Sequence, residues 1–87
     1  MLRDEVIGTI NEILMKKIHF DITKLTDEQK NESLLNPEYG FMAIDLFVLY
    51  MELEKKLGIN FSQADVIEKR FDVYNNIVDS VMGKMKG

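Results

Sequence analysis

Leu2, Val6, Ile10, Ile13 and Leu14 recur every three or four residues, with Asp4, Glu5, Asn11 and Glu12 largely on the other side. That spacing predicts an amphipathic first helix running to about Lys17. Acids in its first turn and Lys16 and Lys17 in its last complement the helix macrodipole at both ends. Over residues 18–41 the pattern breaks up. Isolated apolar residues (Ile22, Leu25, Leu34, Leu35) stand among Asp, Asn, Thr, Ser and the one proline, Pro37. Thr26-Asp27-Glu28-Gln29 has capping-box spacing and predicts one short helical turn. So long a connection is unusual in a small domain. It is tolerable if its scattered apolar residues dock across the helix ends.

Residues 44–57 predict a second helix, apolar over most of its circumference and stopped by Gly58. Phe47 and Met51 lie four apart and are expected to face the first and last helices, touching residues such as Ile10 and Ile77. Leu46 and Leu49 are expected to lean toward a different face. Ser62-Gln63-Ala64-Asp65 has the form of a second capping box, opening a short helix through about Lys69. Asp72 is expected to cap a final helix in which Val73, Ile77, Val81 and Met85 align at four-residue steps. No segment sustains a two-residue alternation. The predicted class is all-α, a bundle of three principal helices plus one short helix, with a long loop between the first two.

Composition narrows the function classes. Eighty-seven residues are expected to form a single domain over 1–87. The absence of cysteine excludes disulfides and thiolate metal sites. The apolar runs are too short to span a bilayer, and Met1-Leu2-Arg3-Asp4-Glu5 lacks the pattern of a signal peptide. A cytoplasmic protein is therefore expected. A net charge of −4 gives no long-range attraction for nucleic acid and favours partners with basic patches.

Tyr39-Gly40-Phe41-Met42-Ala43-Ile44-Asp45, with the helix ending Tyr50-Met51-Glu52-Leu53-Glu54-Lys55-Lys56-Leu57-Gly58-Ile59, resembles the acyl carrier protein family over residues 33–65. Ser33-Leu34-Leu35 and Phe61-Ser62 are similar to the steps flanking that helix in the family. Gly40 stands at the family's glycine and Ile44 at its leucine. The resemblance implies a carrier-like bundle whose second helix opens on a serine bearing 4'-phosphopantetheine. At that serine's position stands Ala43, and at the aspartate before it stands Met42. Without the aspartate a carboxylate and a helix cap are expected to be missing. Val48, Lys55 and Lys56 also depart from the family's acidic run.

Ala43 admits three readings: a natural loss in a carrier-related domain, replacement of a native serine in an ordinary carrier, or coincidence in an unrelated helical adaptor. Met42 favours the first, since a deliberate serine knockout need not alter the neighbouring acid. As written, no cofactor is expected; serine at position 43 would imply 4'-phosphopantetheine.

The leading expectation is a non-enzymatic docking or scaffold domain for acyl, polyketide, nonribosomal-peptide or peptide-maturation enzymes. Its partner surface would be the second helix and the 18–41 loop, centred on Met42, Asp45, Leu46, Leu49 and Glu52. His19 is the lone histidine, so no catalytic residues and no metal ligands are assigned. Asp27, Glu28 and Glu32 lack the spacing of a calcium loop. Ser80 lies too near the end to be an attachment serine, and Tyr39, Tyr50 and Tyr74 lack basic interleaving.

Overall fold

The computed structural model describes residues 2–68 and 71–85, and their regular elements are helical, joined by turns. In order they are α1 (Arg3–Ile13), α2 (Ala43–Leu57), α3 (Gln63–Glu68) and α4 (Tyr74–Met85). The predicted class and element order are those observed. The expected end of the short helix, at Lys69, lies outside the described residues.

Val6, Ile10 and Ile13 of α1 are buried as the spacing requires. Leu2 is not part of that stripe: it is the residue preceding the helix, 72% exposed, and its N–H donates to the Glu5 carboxylate at 3.2 Å. The helix does not stop at Ile13 but widens into a π-turn over Leu14–Ile18, carrying it to the expected length. His19 then ends it in the left-handed conformation (φ 61°), rare for a residue with a side chain.

The long connection is docked, not free. It forms single 3-10 turns at Ile22–Lys24, Gln29–Asn31 and Pro37–Tyr39. The middle turn has the expected box. The Thr26 N–H donates to Gln29 Oε1 (2.9 Å), and the Gln29 N–H to Thr26 Oγ1 (3.2 Å). Ile22, Leu34 and Phe41 are buried in the common core, while Leu25 is half-buried and Leu35 exposed. The Leu34 N–H donates to the Asp72 carbonyl at 2.7 Å, and the Ser33 hydroxyl donates to the Asp72 carboxylate. Asp72 thus anchors the loop through both its groups. Its carboxylate goes to Ser33, so the role expected of it as a cap for α4 is replaced by a clamp 39 residues away in sequence.

α1 packs on α4 and on α2. Ile77 and Val81 are buried on the inner face of α4, with Met85 packed at its margin, while Val73 is buried just ahead of the helix, in a bridge to Ser33 rather than in the expected stripe. Tyr74 is also buried, and its hydroxyl hydrogen-bonds to Asn11 Oδ1 of α1 at 2.7 Å. α3 opens with the expected reciprocal box, Ser62 N–H to Asp65 Oδ2 (2.8 Å) and Asp65 N–H to Ser62 Oγ (3.1 Å). The same Asp65 oxygen meets Lys84 Nζ of α4 at 2.7 Å. Lys84, then the Ser62 N–H, hold the Asp65 carboxyl well below the usual carboxylate range.

The orientation of α2 corrects the sequence expectation. Leu46, Leu49 and Leu53 form its inner stripe, at 8%, 0% and 0% exposure, while Phe47 and Met51 face outward at 53% and 42%. Two apolar stripes at helical spacing compete for the core along this helix. The inner one continues through Leu53 to the half-buried Leu57, whereas the outer one runs into Lys55. The longer stripe wins because it matches the full length of the helix. Tyr50, at its edge, joins Phe61 and Phe71 in a three-ring cluster with centroids 4.8–6.1 Å apart.

Candidate functional site

The start of α2 is built by a left-handed glycine and a reaching carboxylate. Gly40 ends the Pro37–Tyr39 turn at φ 66°, a conformation open to glycine at little cost. Phe41 then plunges into the core, its ring meeting Phe20 edge-on at 5.2 Å. Met42 precedes the helix without a side-chain cap of its own. The expected loss of a capping carboxylate is partly made good from the other direction, because Asp45 Oδ2 accepts the Met42 N–H at 2.9 Å. This helix start holds Met42 at 65% exposure, with Ala43 exposed beside it.

Ile44, Phe47, Val48 and Met51 follow at helical spacing along the outer side of α2. Ile44 is 62% exposed, Phe47 and Met51 are exposed, and Val48 is half-buried. With exposed Met42 at the helix start, they leave a run of large apolar side chains open to solvent, the kind of surface that binds partners. Asp45 and Glu52 border this stripe on one side, both half-buried, and Lys55 stands exposed at its far end. Lys56 lies off it, bound to Glu12 Oε1 at 3.1 Å, a contact Lys16 shares at 3.3 Å. These two ammonium groups, Lys56 first, lower the Glu12 carboxyl below its ordinary value. Glu54 is committed locally, accepting the Phe61 N–H at 2.9 Å.

Of the five residues expected to form a partner surface, Met42, Asp45 and Glu52 come together on or beside the outward face. Leu46 and Leu49 do not; they are core, and Phe47, Ile44 and Met51 stand where they were expected. The signal that separates the two stripes was present as Lys55, a charge one turn beyond Met51 on the outer stripe. The Ser33 hydroxyl is engaged by Asp72 and by the Leu35 N–H, Ser62 hydrogen-bonds within its local turn, and Ser80 is buried. Among the described residues no group of His, Asp or Glu side chains converges as a metal set, and no helix is long and apolar enough to cross a membrane.

An all-α bundle with a long docked loop, whose second helix opens behind a left-handed glycine and shows hydrocarbon to solvent, is consistent with the fold that the acyl carrier resemblance implies. The chain is similar to the acyl carrier protein of Thermotoga maritima, with 25% identity over 83 residues covering 95% of each chain. No family model and no solved structure matches it. This distant similarity, spanning both the helices and the loop, supports the resemblance read from residues 33–65.

Proposed function

We propose that the chain is an acyl-carrier-related docking domain, not itself an enzyme, that binds enzymes of acyl, polyketide or peptide maturation chemistry without carrying phosphopantetheine. The observation that carries the reading is the pairing of Ala43 with the outward hydrocarbon stripe of α2. Phosphopantetheine is joined through a hydroxyl oxygen, and Met42, Ala43 and Ile44 supply none, so the residues at this helix start do not fit the group. The surface around them is instead suited to burying Phe47, Ile44 and Met51 against a partner, with Asp45 and Glu52 selecting basic groups at its rim. The proposed site of action is the cytoplasm, with protein partners and no nucleic acid.

Two measurements test this. Incubated with coenzyme A and a broad-specificity phosphopantetheinyl transferase, the chain is expected to keep its unmodified mass. A gain of one phosphopantetheine would overturn the reading. A photo-crosslinking side chain at position 47 is expected to capture at least one of a purified panel of acyl-transfer, synthase and peptide-maturation enzymes, while one at Thr23 captures none. Equal capture at both positions, or none at 47 across the panel, would refute docking through α2.

A second reading, a carrier whose serine has been replaced, draws on the left-handed Gly40 and the exposure of position 43. It predicts that Ala43→Ser alone is modified by the transferase. If the missing acid is also needed, only Ala43→Ser combined with Met42→Asp responds. Failure of both variants removes this reading.

A further inference from the structure

A cleft of about 300 Å³ lies between the end of the π-turn and the last turn of the long connection, away from the outer stripe of α2. Phe20, Leu25 and Tyr39 line it with hydrocarbon, and His19, Lys24 and Glu38 bring polar groups to it. Its size sits at the lower end of small-molecule sites, which combine apolar walls with a few orienting polar groups.

The walls are fixed. Phe20 is braced edge-on by the buried Phe41. The Tyr39 hydroxyl hydrogen-bonds to Glu32 Oε1 at 3.1 Å, and desolvation and that carboxylate push the phenol up to about 12, so it stays protonated. Asp21 also lines the cleft, but its carboxylate is spent on the local turn, accepting from the Thr23 N–H at 3.0 Å and from the Thr23 hydroxyl. His19, Lys24 and Glu38 form no ion pair among the described residues, although the Lys24 ammonium, after the Thr23 hydrogen bonds, helps to lower the Asp21 carboxyl and the Glu38 carboxylate, after desolvation and Glu32, helps to raise the Tyr39 phenol. His19 is held at the cleft by a left-handed backbone (φ 61°), a conformation that costs energy for a side-chain-bearing residue and clusters at ligand sites.

We propose that this cleft binds a small zwitterion with an apolar body, of the class of aromatic or large aliphatic α-amino acids. Lys24 Nζ and the His19 ring N–H donate to the ligand carboxylate, the Glu38 carboxylate accepts from its ammonium, and Phe20, Leu25 and Tyr39 enclose its side chain. A cation from one lining segment and an anion from the other can read both ends of such a molecule, whereas a simple fatty acid would leave Glu38 without a partner in it. The site is independent of docking through α2 and stands if that reading fails.

The test is an amide chemical-shift titration of the full chain with L-phenylalanine, 3-phenylpropionate and 2-phenylethylamine. L-Phenylalanine is expected to give saturable shifts centred on residues 19–25 and 38–39. Loss of either charged group should weaken binding about tenfold, the scale of one charge-assisted hydrogen bond. Lys24→Gln should erase the preference over 2-phenylethylamine, and Glu38→Gln the preference over 3-phenylpropionate. Both sites are on the surface, and unchanged amide spectra elsewhere verify that the variants fold. Absence of saturation, equal binding of the three probes, or shifts centred on Phe47 and Met51 would each overturn the proposal.

Discussion

Truncation of Leu49 to alanine separates the two faces of α2 quantitatively. Leu49 is fully buried, in one cluster with Leu46 and Leu53 and with core residues of α1 and α4. Deleting its branched end removes transfer energy and leaves a cavity, a loss of about 2–5 kcal/mol. For a small domain with a typical stability of ~5–15 kcal/mol this is a large share. At about 4–8 °C per kcal/mol for a chain of this length, the midpoint should fall by roughly 8–40 °C. Phe47→Ser is the matched control. Its ring is 53% exposed and touches Tyr50 at a centroid distance of 6.1 Å, so only an edge contact is lost. Its cost should be about 1 kcal/mol or less, the value of one aromatic pair. Urea and thermal unfolding followed by circular dichroism give both numbers. A Phe47→Ser loss equal to or above that of Leu49→Ala would mean that α2 is turned with the outer stripe inward, refuting the orientation and the docking face with it.

Asp65→Asn should cost about 1–3 kcal/mol at neutral pH, the value of hydrogen bonds to a charged group in a partly buried setting. Because the folded carboxyl is held below its unfolded value of ~3.9, the stabilisation is present above that pH and lost as pH falls further toward the folded value. The gap between native and variant chains should therefore be constant from pH 7 to about 4 and close below it; a gap that closes near neutrality would exclude the Lys84 contact as its source. Gly58→Ala should destabilise by about 1 kcal/mol, since φ is 64° and a Cβ there meets nothing, leaving only the left-handed conformational cost. Gly8→Ala, also in open space but inside α1, should stabilise by up to about 1 kcal/mol in the same urea titration; equal signs would contradict the backbone argument.

What could be read in the sequence was what is decided locally. Thr26 with Gln29 and Ser62 with Asp65 form their boxes within four residues, so spacing alone predicts the bonds observed. The α1 and α4 stripes were legible because each helix has one apolar face and one polar face. α2 has two apolar faces, and period alone cannot choose between them; Phe47 attracted the core assignment by size, while the core took the longer leucine stripe. The clamp of Ser33 and Leu34 onto Asp72 joins residues far apart in sequence, and no spacing rule encodes it. The π-turn over Leu14–Ile18 and the left-handed His19 likewise left no mark in residue type. On the outward face of α2, Met42, Asp45 and Glu52 stand on or beside the positions expected of them, while Ile44, Phe47 and Met51 are exposed where Leu46 and Leu49 had been expected, with the helix turned half a revolution.

The bond from the Leu34 N–H to the Asp72 carbonyl divides the long connection into two spans with different freedom to change length. Between buried Ile22 and buried Leu34 one 3-10 turn is tied to α4, where Asn75 Nδ2 donates to Asn31 Oδ1 at 2.6 Å, so residues added or removed ahead of that tie, near exposed Asp27 and Glu28, alter the arc without moving a buried side chain. Between Leu34 and Phe41 both ends are sunk in the core and the course is set by Pro37 and the left-handed Gly40. A single residue inserted there would displace Phe41, rotate the entry to α2 and shift Met42 and Ala43 off their present positions. A change of length is thus better absorbed by the first span, and the second acts as a ruler that sets where the exposed helix start can stand.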